Sequence, residues 1–331
     1  MTPWSALVVL VPASLVASWF GTRIVLDMLR RRAILDRPNE RSSHSTPTPR
    51  GGGIAVIATL VLAWGCGAIL LPAPAVWPIL AGAIGLAILS WFDDLGGVAA
   101  IWRLLAQMVA VGGGLLTLQP LGPVLQGLAP AGLDSLIAGA LWLWFVNLFN
   151  FMDGIDGLAG TEAACIGSGI ALLGVVAVGL PSGPVWGGTV AAAALGFLHW
   201  NWHRAHIFLG DVGSVPLGYL LGWLLLATAA EGQWEAALIL PLYYLADATV
   251  TLVRRILRGE RIWRAHREHY YQRAVQRGLS HATVVQRILA CNALLIALAV
   301  GSGLGLGWWA LLPAGMATMA LLQTLSGRQP A

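Results

Sequence analysis

Long apolar stretches separated by short polar clusters recur along the whole chain, near 4–28, 53–71, 78–92, 103–118, 133–149, 159–179, 185–200, 214–229, 236–256, 286–304 and 307–325. Most hold about twenty residues, enough for an α-helix to cross a hydrocarbon core of roughly 30 Å. Lipid offers no partner to open backbone groups, so helices are the element this pattern selects. It predicts an all-α polytopic membrane protein forming one integral membrane domain over 1–331, with about eleven transmembrane helices. The count becomes ten if one of the two shortest stretches, 78–92 or 103–118, is re-entrant. Arginines follow the first stretch instead of preceding it, the reverse of a secretory signal peptide, so this segment is expected to stay as an anchor.

Composition agrees: 57% of residues are hydrophobic, 10% are charged and the mean hydropathy is +0.75, which excludes a water-soluble globule. Cys66, Cys165 and Cys291 fall inside apolar stretches with no ligand spacing, and read as small packing residues. The formal charge of +4 does not describe a nucleic-acid-binding patch, because its arginines sit in loops. They occupy Arg23 to Arg50, Arg103, Arg204, Arg254 to Arg287 and Arg328, whereas the connections near 72–77, 119–132, 180–184, 230–235 and 305–306 have none. Under the positive-inside rule this alternation places the N-terminus outside and the C-terminus in the cytoplasm. Cytoplasmic loops are then expected near 29–52, 92–102, 150–158, 201–213 and 257–285.

The polar motifs of the chain fall in those loops. Asp93 and Asp94 put two carboxylates at the mouth of a span, where mutual repulsion calls for a cation or a proton between them; a solvated helix end is the plainer alternative. Asn147 and Asn150 lie one helical turn apart, and the Asp153-Gly-Ile-Asp156-Gly that follows breaks the helix. Four side-chain oxygens on so tight a turn suit Mg²⁺, a hard ion that bridges to phosphates. Gly210 and Gly213 flank Asp211 just before a span, so a carboxylate meets the free amides of a helix N-terminus; an ordinary turn and cap would look the same. The loop from Arg261 to His281 carries Arg264, His266, Arg267, His269, Arg273 and Arg277, suited to an anionic substrate or to acidic lipid. Asp247 is the one carboxylate read at depth within a span, either functional or capping a helix broken after Pro241. His199 and Trp200 read as interfacial residues.

Taken in order, these elements resemble the polyprenyl-phosphate N-acetylhexosamine-1-phosphate transferase superfamily, glycosyltransferase family 4. The resemblance runs from Asp36-Arg-Pro-Asn-Glu-Arg-Ser-Ser-His-Ser-Thr-Pro-Thr-Pro-Arg-Gly-Gly-Gly to the histidine loop, and Asn-x-x-Asn-x-x-Asp-Gly-x-Asp-Gly-Leu at 147–158 is its most specific motif. It implies Mg²⁺ on Asn150 and Asp211, catalytic roles for Asp93 and Asp94, and a substrate site shaped by Asn147, Asp153, Asp156, His269 and Arg273. The implied reaction moves a sugar 1-phosphate from a UDP-N-acetylhexosamine to undecaprenyl phosphate, releasing UMP. Membrane lipid is a partner, nucleic acid is not, and a homodimer is compatible with the sequence. The implied location is the bacterial inner membrane, with the site on the cytoplasmic face. Leu95, Gly96 and Gly97 stand where the family has a further acidic residue, and the histidine motif is reduced to His-Arg-Glu-His-Tyr-Tyr-Gln-Arg at 266–273. That form resembles the O-antigen-initiating branch. Two other classes compete: a transporter of an anionic substrate, which needs charges at mid-depth and an internal repeat, and a CDP-alcohol phosphotransferase, whose Ala-Arg after the first Asp-Gly is absent here.

Overall fold

The computed structural model describes residues 2–36, 46–176, 183–260 and 266–327; Arg37 to Ser45 of the motif above, with Arg261, Arg264 and Arg328, lie outside them. The described residues are almost entirely helical. The chain runs through α1 (Pro3–Arg31), a two-residue hairpin pair β1 (Leu35–Asp36) and β2 (Thr48–Pro49), α2 (Gly53–Leu70), α3 (Val76–Gly96), α4 (Ala100–Leu118) and α5 (Ala131–Phe151). It continues with α6 (Leu158–Val176), α7 (Gly183–Asn201), α8 (Asp211–Ala230), α9 (Trp234–Ile239), α10 (Leu242–Leu257), α11 (Tyr270–Gln276), α12 (His281–Gly301) and α13 (Leu311–Ser326).

Eight helical stretches among the described residues are long and apolar enough to cross a membrane. The last, His281–Ser326, runs 46 residues through a non-helical Gly305 and so contains both α12 and α13. Helix α7, with its glycines, Trp186, His199 and Asn201, is long enough but less apolar than the eight. The two stretches read as short are helices of 21 and 19 residues, α3 and α4, each about 30 Å long at 1.5 Å per residue. The ninth stretch does not form one rod: α9 ends at Ile239 and α10 begins at Leu242, because Pro241 has no N–H to continue the helix.

Helix α8 is the centre of the molecule. Nearly every residue in it is buried, and α2, α3, α4, α5, α6, α7 and α9 all touch it. Where water is absent a polar group must find its partner within the protein. Trp142 accordingly donates its indole N–H to the Tyr219 carbonyl at 2.9 Å and stacks on the Tyr219 ring, and Trp223 donates to Thr117 at 2.9 Å. Outward-facing Leu62, Ile69, Val109, Leu136 and Leu312 form the apolar exterior expected against lipid. Asp247 is not alone at depth: Glu162 in α6 is fully buried and accepts a 2.7 Å hydrogen bond from Asn292 of α12.

The cytoplasm-assigned ends of α2 and α8 are locked together by backbone. Phe208 donates to the Pro49 carbonyl at 2.8 Å, Gly52 donates to Phe208 at 2.8 Å and Gly53 donates to Leu209 at 2.8 Å. This short ladder lets Gly53 meet Gly213 so closely that a Cβ on Gly53 would lie 2.1 Å from the Gly213 Cα. Backbone on both sides cannot yield as a side chain would. Gly53→Ala is therefore expected to destabilise the protein by about 1–3 kcal/mol, read as a lower unfolding midpoint in detergent. An unchanged midpoint would contradict this contact.

Candidate active site

Because the 49–53 segment is pinned to 208–209, Arg50 arrives beside the first turn of α8. The free backbone N–H groups of Asp211 and Val212 donate to the two carboxylate oxygens of Asp94, at 3.1 and 3.0 Å. A carboxylate belongs there, since a helix N-terminus carries unpaired amides and a partial positive charge. Gly210, at φ +76°, makes the approach: a Cβ there would lie 2.8 Å from Asp94 Oδ2. The Arg50 guanidinium bridges the two acids, with Nε 2.9 Å from Asp94 and Nη2 2.5 Å from Asp211. Arg103, at the start of α4, holds Asp93 Oδ2 at 2.6 Å and stands 3.8 Å from Asp211. The other Asp93 oxygen accepts from the Val98 N–H at 2.6 Å. The adjacent aspartates thus do not share one cation: Asp94 turns to α8 and Asp93 turns to α4.

Across from them, Asn150 Oδ1 accepts from the Ser214 hydroxyl at 2.7 Å, one turn along α8 from Asp211. Asn147 donates to Gln107 of α4 at 2.9 Å and to the Leu143 carbonyl at 2.8 Å. A cavity of about 480 Å³ opens between these groups, lined by Asp93, Arg103, Asn147, Asn150, Asp211 and His269 together with apolar residues of α3, α4, α5 and α10. Asn150 and Asp211 therefore face one space and offer only hard oxygens, the donor type that Mg²⁺ takes. Positive charge is already drawn to this spot, since two guanidiniums converge on Asp211. The residues present fit a divalent ion.

In the loop after α5, Asp153 is half-buried near Arg50, Asp211, Asp94 and Asp156. Burial pushes its carboxyl up to about 7; Arg50 opposes the rise and the three neighbouring acids add to it. Asp156 behaves differently. Burial alone would raise it, but hydrogen bonds from His281 and His203 hold it below the usual carboxylate range. His203 Nδ1 lies 2.7 Å and His281 Nδ1 3.2 Å from the same Asp156 oxygen. Asp156 thus sits in a cluster of its own and does not line the cavity.

His269 reaches the cavity and is buried, with Nδ1 3.2 Å from Asp247. Asp247 also accepts from the backbone N–H groups of Tyr270 and Tyr271 at 2.9 and 3.3 Å and from the Tyr243 hydroxyl at 3.0 Å. The helix is indeed broken at Pro241, yet the end that Asp247 caps is the start of α11. Arg273, on α11, is exposed and takes no part in lining the cavity, so the structure does not bring it to the other residues of the substrate site. Sequence reasoning missed Arg50, Arg103, Gln107, Ser214, His203 and His281 as site residues. Arg50 and Arg103 had served only as markers of the cytoplasmic side, although Arg50 directly precedes Gly51-Gly52-Gly53 and that pattern signals a close backbone approach.

A folded Asp153 that titrates near 7, against an ordinary value of 3.8, holds an extra proton between those limits. Stability should therefore fall as pH rises from about 5 to about 7 in metal-free buffer. Asp153→Asn is expected to flatten that fall in thermal unfolding scans, and an unaltered slope would contradict the placement of Asp153.

The signature of glycosyl transferase family 4 matches residues 76–229, which spans α3 to α8 and both Asp93-Asp94 and Asp211. The chain is 32% identical over 312 residues to the decaprenyl-phosphate N-acetylglucosaminephosphotransferase of Mycobacterium leprae, covering 82% of this chain and 77% of that protein. It is 29% identical over 289 residues to a probable undecaprenyl-phosphate N-acetylglucosaminyl 1-phosphate transferase of Bacillus subtilis, covering 80% and 77% of the two chains. With the undecaprenyl-phosphate alpha-N-acetylglucosaminyl 1-phosphate transferase of Escherichia coli K12 it shares 27% identity over 312 residues, 88% of this chain and 83% of that one. An all-α membrane architecture, a cavity walled largely by the matched helices and similarity over four-fifths of the chain agree, and the protein belongs to glycosyl transferase family 4.

Proposed function

We propose that the protein transfers a sugar 1-phosphate from a UDP-N-acetylhexosamine to undecaprenyl phosphate, yielding undecaprenyl-diphosphate-sugar and UMP, and so initiates a cell-surface glycan of the O-antigen type. The observation that carries this reading is the junction of Asp94, Arg50 and Asp211 at the α8 N-terminus, beside a cavity lined by both polar and apolar side chains. A soluble anionic donor and a lipid phosphate need just such a mixed lining. The names of the relatives support it, since they act on decaprenyl or undecaprenyl phosphate and carry an N-acetylglucosamine 1-phosphate. The arginine distribution supports a cytoplasmic site in the bacterial inner membrane.

Phosphoryl transfer asks a protein chiefly for positioning and charge neutralisation. Asn150 and Asp211 would hold Mg²⁺, which supplies Lewis-acid neutralisation of the donor diphosphate when bound. Arg50 bridges Asp94 and Asp211, and with Mg²⁺ on Asp211 it would keep its hold on Asp94. Asp93 lines the cavity and Asp94 does not, so Asp93 is the carboxylate placed to orient or deprotonate the lipid phosphate. Arg103 holds Asp93 in place and adds positive charge near the incoming phosphate. His269, fixed through Nδ1 by Asp247, lines the cavity that would take the donor.

Purified protein given undecaprenyl phosphate and a panel of UDP-sugars should release UMP only with Mg²⁺ present, with one N-acetylhexosamine preferred. Asp211→Asn should lower the rate by more than about 100-fold while the protein still runs as a folded species in gel filtration. Mg²⁺-independent UMP release, or an Asp211→Asn variant with more than a few per cent of the activity, would refute the assignment.

A further inference from the structure

Outside the cavity, the described residues hold one cluster of three metal-ligating side chains: Asp156, His203 and His281. They come from three separate segments, the loop after α5, the loop after α7 and the first residue of α12. We propose that these three residues form a second cation site, distinct from the oxygen-lined corner of Asn150 and Asp211, that takes a borderline divalent transition metal of the zinc type.

The spacing fits. His203 Nδ1 and His281 Nδ1 lie 2.7 and 3.2 Å from one Asp156 oxygen, and all three ligand atoms are within 4.8 Å of one another. Three points so spaced share a centre no more than about 2.5 Å from each, and a contraction of a few tenths of an ångström reaches the 2.0–2.2 Å of zinc bonds to nitrogen and oxygen. Two imidazoles and one carboxylate select zinc or cobalt over magnesium, which prefers oxygen throughout.

Backbone joins the cluster as well: the Asp156 N–H lies 3.3 Å from His281 Nδ1, the nitrogen that also stands 3.2 Å from the Asp156 carboxylate. That nitrogen can donate to the carboxylate or accept from the backbone N–H, not both at once, and a metal bound there would satisfy the carboxylate without the ring's proton.

The surroundings are built to hold these donors still. Asn201 accepts from the Gly157 N–H at 2.9 Å and donates to the Ile207 carbonyl at 2.9 Å, which clamps the loop carrying His203 onto the loop carrying Asp156. Asp156 also accepts from the Ala205 N–H at 3.3 Å. Asp156 and His281 are buried, while the His203 side chain is 29% exposed. Solvent therefore reaches one side, where a fourth ligand enters as it does in open zinc sites. An ion here would tie the three loops together beside Asp153.

Zinc titration of the chelator-stripped, full-length protein in detergent tests this, with a chromophoric zinc indicator as competitor and excess Mg²⁺ filling the oxygen corner. About one equivalent of Zn²⁺ is expected to bind, and Co²⁺ should give the intense visible bands of low-coordinate cobalt with nitrogen ligands. His203→Gln should weaken Zn²⁺ binding by at least about tenfold, the lower end of what losing even an outer-sphere partner costs. His281→Gln should do the same, and gel filtration and melting show whether each variant is folded. Should His281→Gln fail to fold, the partly exposed His203→Gln still decides. Binding below about 0.2 equivalents, or equal binding by wild type and His203→Gln, would overturn the proposal in favour of a purely hydrogen-bonded triad or of zinc held elsewhere. No substrate is present in this titration, so its failure leaves the transfer reading untouched, and failure of UMP release leaves this site untouched.

Discussion

The free amides at the head of α8 need an anion, and Asp94 supplies it from the end of α3. This single contact sets the position of the other site groups. A buried helix end left without partners would cost several kcal/mol in so apolar a surrounding, roughly 1–3 for each unsatisfied group. Once Asp94 is committed to α8, its remaining charge is balanced by Arg50, which the 49–53 ladder delivers. Asp211, Ser214 and Asn150 then take their places as consequences of where α8 begins.

Charge balance explains how so many ionised groups can sit at the edge of a bilayer. Among the described residues, Asp93, Asp94 and Asp211 share Arg50 and Arg103, and Asp247 collects donors from a tyrosine, a histidine and two backbone amides. Each of these carboxylates has a positive or hydrogen-bonding partner within the protein. Breaking a pair by deleting one partner exposes the other charge to a low dielectric, which is far more costly than never having placed either. The same arginines that stabilise the resting arrangement also keep positive charge where two phosphates would meet.

Much of the fold was legible because a bilayer enforces one period and one length. Among the described residues each predicted apolar stretch falls on helix; Pro241 divides the ninth, and the non-helical Gly305 falls at the break expected between the last two stretches. The Asp-Gly-Ile-Asp-Gly and Gly-Asp-Val-Gly motifs marked real corners: Gly213 meets the Gly53 backbone and Gly210 the Asp94 carboxylate, while Gly154 meets the Tyr271 ring and hydroxyl and Gly157 the Trp202 ring. Division of labour within Asp93-Asp94 was not legible, since adjacency in sequence says nothing about which helix each side chain turns to. His203 and His281 carry no periodicity and belong to no shared motif; the packing of α7 and of α12 against α6 brings them to Asp156. Arg273 looked equivalent to His269 in the loop, but α11 turns it away from the cavity.

Oxygens from α5 and α8, far apart in sequence, meet at one corner because Asp94 fixes the start of α8, and this corner is the proposed seat of the divalent ion. Electron paramagnetic resonance of Mn²⁺, titrated into the full-length protein in detergent, reads that corner directly. About one tightly held Mn²⁺ per chain is expected, lost both in Asn150→Ala and in Asp211→Asn. Retention of the bound signal in either variant would contradict it.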